Sequence, residues 1–247
     1  MKILVIGDSC VDKFIYGSVD RICPEAPVPV FNPIRKTTNP GMAGNVIANL
    51  FKLRVETKFI TNNNKITKTR YVDEKSNQML LRVDENDQCS PLEDKSQLNS
   101  LFLSQFDGII ISDYNKGFLT NNDIANICEN HPLVFIDTKR PLGKWVEKAM
   151  FIKLNQYEYN NNKEFLNNNS IFKDKLIITM GDKGCMYKNK LYPVHELVEV
   201  QDVSGAGDTF LSAFTYNFIT TKNIKESINF GQHCASSVVS RKGVVTL

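Results

Sequence analysis

Short apolar runs alternate with helix-like stretches along most of the chain. The runs are KILVIG at 2–7, GIIIS at 108–112, LVFID at 133–137, FIKL at 151–154 and LIITM at 176–180. Such continuous apolar runs predict strands that are buried on both faces. Helices are predicted over 43–53, 121–130, 144–149 and 156–167. This alternation predicts a mostly parallel sheet with helices on both sides.

Two segments depart from the alternation. Residues 12–35 are rich in proline, and residues 68–84 contain the strand-like sequences TRYV and QMLLRV around a polar turn at Glu74–Asn77. We predict that segments 12–37 and 66–85 form a small β lid on one domain spanning residues 1–247. Simple surface loops are the alternative, but the length and apolar content of both segments favour the lid.

Small residues precede an acidic residue in VQDVSGAGDTF, residues 200–210. A strand is predicted to end at Val203, and helices are predicted over 208–219 and 224–240. Glycines at a helix N-terminus let backbone N–H groups converge on an anion, and a carboxylate there suits phosphoryl transfer to a hydroxyl. The alternative is that Asp208 only caps the helix, which is worth about 1 kcal/mol. The spacing alone leaves both interpretations open.

The charge balance and the cysteine content argue against several classes of protein. The chain has 30 Lys and Arg against 27 Asp and Glu, a net charge of +3, which argues against general nucleic-acid or membrane-surface binding. Six cysteines without a C-x-x-C pair suggest reduced thiols. The apolar start is too short for a signal peptide or a membrane span, so we expect a cytoplasmic protein. P-loop and dinucleotide-binding motifs are absent.

The motif DVSGAGDTF resembles the C-terminal signature of the ribokinase-like (PfkB) carbohydrate kinases. Four further motifs follow in that family's order: Gly7-Asp8 with Asp12, GMAGN at 41–45, N-x-x-E at 155–158 and T-x-G-x-x-G at 179–184. The resemblance covers essentially the whole chain. It implies a three-layer α/β/α fold with a mostly parallel central sheet and a small β lid, and the activity of an ATP-dependent sugar kinase.

A narrower resemblance concerns the substrate. RICPEAPVPV at 21–30, KTR at 68–70, LLRVD at 80–84 and SDYNKG at 112–117 resemble segments of the heptose 7-phosphate kinases. This implies phosphorylation of D-glycero-D-manno-heptose 7-phosphate at its anomeric hydroxyl. No nucleotidyltransferase half follows, which predicts a stand-alone kinase.

Two alternatives to this substrate stay open. Met42 stands where the family usually has a second glycine, so a kinase for another sugar or sugar phosphate is one of them. A catalytically inactive sugar- or nucleotide-binding protein is the other. It is disfavoured because Asp208, Gly205 and Gly207 are all present.

The resemblance implies a role for each matching residue. Asp208 is the implied base, and the implied anion hole for the γ-phosphoryl group is Gly205, Ala206 and Gly207. The implied substrate-binding residues are Asp12, Arg21, Gly41, Asn45, Lys68, Arg70, Asp113 and Lys116. The implied nucleotide-binding residues are Thr179, Gly181, Gly184 and Ser204, with Ala235–Gly243 along the adenine. Asn155 and Glu158 are implied to position magnesium.

The lysines and arginines in this set also fit a phosphorylated sugar on physical grounds, because these side chains bind phosphate. ATP and Mg²⁺ are the implied cofactors, and a monovalent cation stays open. A projecting small sheet carries unpaired edges, and pairing two copies would cover them, so we expect a homodimer through the lid. A monomer with a mobile lid is the alternative.

Overall fold

Two β-sheets and seven α-helices make up the described part of the protein. The computed structural model describes residues 1–194, 198–241 and 246–247. The strands are β1 (Lys2–Gly7), β2 (Ser9–Ile22), β3 (Pro29–Met42), β4 (Glu56–Thr61), β5 (Ile66–Asp73), β6 (Met79–Glu85), β7 (Gly108–Asp113), β8 (Val134–Thr138), β9 (Phe151–Asn155), β10 (Leu176–Thr179), β11 (Cys185–Tyr187) and β12 (Lys190–Tyr192). The helices are α1 (Ala43–Lys52), α2 (Ser100–Leu103), α3 (Asn121–Asn130), α4 (Gln156–Asn161), α5 (Lys163–Asn167), α6 (Ala206–Thr221) and α7 (Ile224–Val239).

The central sheet has eight strands in the order β12-β11-β10-β9-β8-β7-β1-β4. The six strands from β10 to β4 pair in parallel, and β11 and β12 add an antiparallel edge. Five of the six parallel strands correspond to the predicted apolar segments, because strands covered by helices on both faces bury nearly every side chain. The sixth, β4, is the outer strand of the parallel part and exposes Glu56 and Lys58. The predicted mostly parallel sheet is confirmed.

Helices cover both faces of this sheet. Because side chains alternate along a strand, Ile3 and Val5 of β1 face one side while Leu4 and Ile6 face the other. The first side packs against α1, α6 and α7, and the second against α2, α3 and α5. The two cores give the three-layer α/β/α arrangement.

The small sheet has the strand order β3-β2-β5-β6. Its strands β2 and β3 are long antiparallel partners, β2 and β5 pair in parallel, and β5 and β6 form a hairpin. These strands contain the two segments predicted to form a lid, and β2 begins directly after β1. The sheet is therefore anchored at the carboxyl end of a central strand. Its action as a lid stays a prediction.

Three predicted elements differ from the structure. Residues 144–149 contain only a 3₁₀ turn at Lys144–Val146, and the predicted helix over 156–167 is divided into α4 and α5 at Asn162. Residues 198–203 form no strand, although Val200 and Val203 flank the polar pair Gln201-Asp202 in the segment predicted to be one. Both valines are exposed, so no sheet face covers the apolar positions of this segment.

All six cysteines are free thiols, as expected from their spacing. No helix in the described part of the chain has both the length and the apolar character needed to cross a membrane.

Candidate active site

The candidate site lies where the parallel strands of the central sheet end. In doubly wound sheets, ligands bind in the crevice at the carboxyl ends of the strands. Here the loops after β1, β7 and β8 and the N-terminus of α6 meet at that edge. The small sheet rises from the same edge, because β2 continues from β1.

The glycine turn before α6 forms the centre of the site. Gly205 has φ 81°, a left-handed conformation that a residue without a Cβ adopts without strain. The helix begins at the next residue and continues for 16 residues. The backbone N–H groups of its first turn have no partner within the helix, so Gly207 and Asp208 present donors at the positive end of the helix dipole. This arrangement suits an anion.

Asp208 lies in that first turn and is only 4% exposed. Asn45 Nδ2 donates a hydrogen bond to its Oδ2 at 3.0 Å, and the Tyr114 hydroxyl donates one to its Oδ1 at 2.9 Å. Burial raises the pKa of Asp208 to about 6, although these two hydrogen bonds and the nearby Lys153 ammonium favour the ionised form. The carboxylate is therefore oriented from two sides and is poised to take up a proton near neutral pH.

The sequence reasoning missed Tyr114. Its backbone N–H, with those of Lys116 and Phe118, donates to the buried Asp8 carboxylate, at 2.7, 3.2 and 3.3 Å respectively. Asp8 thereby fixes the loop after β7 and places Tyr114 over Asp208. The pKa of Asp8 is raised, chiefly by burial. The motif S-D-Y-x-K-G, which contains this tyrosine between two charged residues, is the sequence signal for it.

Several predicted sugar-binding residues do come together beside Asp208. Asp12 on β2 lies next to Gly41 on β3, so close that a Cβ on Gly41 would lie 2.1 Å from Asp12 Oδ2. Arg70 on β5 forms a hydrogen-bonded ion pair with Asp12. Asn45 links this group to the glycine turn, since its Nδ2 also lies 3.4 Å from the Gly205 carbonyl oxygen.

The predicted phosphate-binding lysines carry aspartate partners. Lys68 Nζ lies 3.4 Å from Asp84 and 3.5 Å from Asp87, and Lys116 also pairs with Asp87. The pKa of Asp87 is lowered because these ammonium groups outweigh the opposing effect of burial. Lys68 and Lys116 are thus held together by one carboxylate at the base of the small sheet.

Arg21 and Asp113 do not join this group. Arg21 is exposed near the far end of β2, and the nine residue steps from Asp12 to Arg21 span about 30 Å in an extended strand. It has no ion-pair partner within the described ranges. Asp113 is 1% exposed, and its oxygens accept hydrogen bonds from Arg140 and Thr138. The structure gives it the position of an internal anchor, not of a residue facing a sugar.

A cavity of about 220 Å³ opens on the other side of the glycine turn. Its lining is mostly apolar, which suits a nucleotide base, and contains the predicted Thr179, Gly181, Gly184, Ala206 and Gly207. The predicted adenine segment contributes Ala235, Ser236 and Val239, while positions 242 and 243 lie outside the described residues.

Ser204 is the predicted nucleotide-binding residue that is not part of this lining. Its backbone N–H donates to the Asp202 side chain at 2.8 Å. This contact holds the turn that precedes Gly205.

Asn155 and Glu158, the predicted magnesium residues, form a capping box at the start of α4. Asn155 Oδ1 accepts from the Glu158 N–H, and Glu158 Oε2 accepts from the Asn155 N–H, both at 2.8 Å. Lys139 pairs with the remaining oxygen of Glu158. These oxygens are already engaged, and no cluster of three metal-ligating side chains occurs in the described ranges. The pair does not fit direct coordination of Mg²⁺.

A chain of buried charges runs beneath the glycine turn. Asp137 on β8 accepts from Lys139 Nζ and from Lys153 Nζ, and Lys139 continues to Glu158. Burial raises the pKa of Asp137, but the two ammonium groups outweigh it and bring that pKa to about 2. The pKa of Lys139 is raised because its two carboxylate partners outweigh its burial. Asp137 and Lys139 are therefore both ionised at neutral pH.

Comparison with known families places this geometry in context. The sequence model of the pfkB family of carbohydrate kinases matches residues 42–247. The bifunctional protein HldE of a Nitratiruptor species is 30% identical over 291 residues, which cover 99% of this chain and 63% of that protein. HldE of a Helicobacter pylori strain is 29% identical over 298 residues, with coverage of 98% and 63%. The chain thus spans less than two thirds of the length of these relatives.

Solved structures show the same fold. A ribokinase from Thermotoga maritima superposes with a TM-score of 0.73 at 19% identity, covering 98% of this chain and 94% of the other. An Arabidopsis thaliana ribokinase complexed with ribose and ATP gives a TM-score of 0.73 at 14% identity, with coverage of 98% and 93%. Both support the three-layer architecture.

Proposed function

The chain belongs to the pfkB family of carbohydrate kinases, and we propose that it transfers the γ-phosphoryl group of ATP to the anomeric hydroxyl of D-glycero-D-manno-heptose 7-phosphate. The observation that carries the choice of a phosphorylated sugar is the set of three cations on the sugar side, where Arg70 pairs with Asp12 while Lys68 and Lys116 share Asp87. The heptose itself is supported by the resemblance of residues 21–30 to heptose 7-phosphate kinases and by the similarity to the HldE proteins.

Asp208 is the proposed base. With a pKa of about 6 it is mostly ionised at neutral pH, yet it is basic enough to accept the proton of a sugar hydroxyl. The sugar oxygen then attacks the γ-phosphorus, the bond from that phosphorus to the bridging oxygen of ADP breaks, and the proton moves to Asp208. Backbone N–H groups at the glycine turn stabilise the charge on the transferring group.

The cations on the sugar side explain the preference for an anionic acceptor. Each is paired with an aspartate: Arg70 with Asp12, and Lys68 and Lys116 with Asp87. A phosphate group provides several acceptor oxygens to such side chains, so it can take over the lysine contacts of Asp87. Asp12, released from Arg70 by the same exchange, would accept hydrogen bonds from sugar hydroxyls.

The nucleotide is proposed to lie in the apolar cavity, with its phosphates directed at the glycine turn. Magnesium, which kinases of this kind usually require, would supply positive charge to those phosphates. Since Asn155 and Glu158 do not fit direct coordination, we assign no step to a metal held by this chain.

We also propose a homodimer formed through the small sheet. The edge strands β3 and β6 expose large apolar residues, among them Ile34 at 64%, Met79 at 53% and Leu81 at 56%. Exposed apolar strands at sheet edges invite pairing with another chain. Sedimentation equilibrium would give twice the 28.0 kDa of one chain, and the mass of one chain at assay concentration would contradict the dimer.

The substrate proposal is tested by ADP release with magnesium and ATP. The acceptors are heptose 7-phosphate, sedoheptulose 7-phosphate, fructose 6-phosphate, ribose and buffer alone, and Asp208→Asn is measured alongside. We expect turnover restricted to heptose 7-phosphate and about 10²- to 10⁴-fold lower kcat in the variant. Turnover on another sugar would reject heptose 7-phosphate as the substrate but would leave the proposed role of Asp208 as the base intact. Folded protein that binds ATP and turns over no acceptor would favour a binding protein.

A further inference from the structure

Lys153 is a buried lysine in contact with the glycine turn. It lies on β9, and its side chain is 4% exposed. Strand alternation places it on the face that packs against α6, the same face as Phe151. A Cβ built on Gly207 would lie 2.8 Å from Lys153 Nζ. The ammonium group therefore occupies the space directly beside the backbone donors of the anion hole.

Lys153 has hydrogen-bonding capacity to spare. An ammonium group carries three N–H donors. Asp137 Oδ2 is its one hydrogen-bond acceptor within the described ranges. A buried charge with unpaired donors is costly unless a further acceptor satisfies it. The adjacent N-terminus of α6 is itself positive, so the two together are unfavourable until an anion lies between them.

The ion pair with Asp137 does not by itself explain why a buried lysine is present at position 153. Lys139 already neutralises Asp137 from its other oxygen, at 3.1 Å. A buried ion pair is often replaced by apolar residues without loss of stability, so a second ammonium is not needed for the fold. Its position beside Gly207 is the feature that a purely structural role leaves unexplained.

We propose that Lys153 is a catalytic residue that donates hydrogen bonds to the γ-phosphoryl group during transfer. It keeps its protons throughout. As the bond from phosphorus to the ADP oxygen breaks and the bond to the sugar oxygen forms, Lys153 offsets the negative charge on the phosphoryl oxygens. The acceptor's proton still goes to Asp208. The inference rests on the proposed location of the γ-phosphoryl group at the glycine turn but not on the identity of the sugar.

The test compares Lys153→Met with Lys139→Met, which removes the other ammonium partner of Asp137 without touching Gly207. Isothermal titration calorimetry with magnesium measures the affinity for AMP-PCP, which carries a γ-phosphoryl group, and for ADP, which does not. We expect Lys153→Met to lower the ratio of AMP-PCP to ADP affinity about tenfold or more, the effect of one charge-assisted hydrogen bond. In Lys139→Met this ratio should stay near that of the unchanged protein.

A second variant, Asp137→Asn with Lys153→Met, removes both charges of the pair and serves if the single variant fails to fold. For any sugar that is turned over, kcat should fall about 10²- to 10³-fold in the Lys153 variants, as for loss of an anion-hole donor. An unchanged affinity ratio in a folded Lys153 variant overturns the proposal. If no sugar phosphate is turned over by the unchanged protein, the heptose proposal fails, while the calorimetric ratio still decides the role of Lys153.

Discussion

Met42 connects β3 to α1 in a backbone conformation that suits glycine. Its φ is 56° and its ψ is −132°, which lies outside the regions open to residues with a Cβ. Conformations of this kind store about 1–3 kcal/mol. The side chain is 4% exposed and packs against Cys10 and Ile66. Met42 therefore makes two opposing contributions to the stability of the fold: its backbone strain lowers the free energy of unfolding, and the burial of its apolar side chain raises it.

Substitution by alanine and by glycine separates these contributions. Met42→Ala keeps the Cβ and the strain but removes the rest of the buried side chain, which costs about 2–5 kcal/mol. Met42→Gly loses one more methyl group, about 0.8 kcal/mol, and adds about 0.5–1 kcal/mol of backbone entropy. It also releases the strain of about 1–3 kcal/mol. The glycine variant should therefore be as stable as the alanine variant or slightly more stable.

Urea unfolding at neutral pH measures the two free energies of unfolding. Ile66 provides the matched control, because it is fully buried in the same cluster but lies in the extended strand β5. There the glycine variant should be less stable than the alanine variant by about 1–2 kcal/mol. The reasoning is refuted if Met42→Gly is less stable than Met42→Ala by the same margin as at Ile66.

Two predictions concern the buried carboxylate of Asp208. Tyr114→Phe removes a hydrogen bond that favours the ionised form, so the pKa of Asp208 should rise from about 6 and the acidic limb of kcat/KM should move to higher pH; a loss of activity independent of pH would contradict this. The folded-state pKa is raised above the ordinary 3.8, so the unchanged protein loses about 2 kcal/mol of stability as pH rises from 4 to 7. Asp208→Asn has no titrating group at this position and should lack this loss. Urea unfolding at pH 4 and at pH 7 should therefore show the variant becoming more stable relative to the unchanged protein at the higher pH. If the difference in free energy of unfolding between the two proteins is the same at both pH values, the raised pKa of Asp208 is contradicted.

The central layers could be predicted because their sequence signal is local. Five of the six parallel strands are short apolar runs, and the outer strand β4, with the mixed sequence ETKFIT, is the one that was not predicted. Helix α3 begins at Asn121, after its Thr120 cap, and ends at Asn130, within the predicted bounds. The segment 200–203 shows the limit of this signal. Its mixture of apolar and polar residues predicted a strand, but a strand also needs a neighbouring strand to pair with. The backbone N–H groups of Gln201 and Asp202 donate instead to the carbonyl oxygen of Val239, at the end of α7.

The site was harder to predict because several residues carry ambiguous patterns. N-x-x-E is the spacing of a magnesium motif and also that of a capping box, so Asn155 and Glu158 fit both equally well in sequence. Arg21 shares a segment with Asp12, but an extended strand separates them by its full length. Lys153 was hidden within an apolar run. A lysine at a strand position that faces the core was the signal for it.

The buried charges explain how a base and a cation can coexist so close together. If Lys153 paired directly with Asp208, the attraction would lower the pKa of that carboxyl and weaken it as a base. Asp137 prevents this by holding the ammonium from the side of β8, and its pKa of about 2 keeps it ionised as that partner. Asp208 is instead held by the neutral donors of Asn45 and Tyr114, which lie 163 and 94 residues away in sequence. In the proposed roles of the two residues, this pairing pattern would leave the charge of Lys153 for the phosphoryl group and the basicity of Asp208 for the sugar hydroxyl.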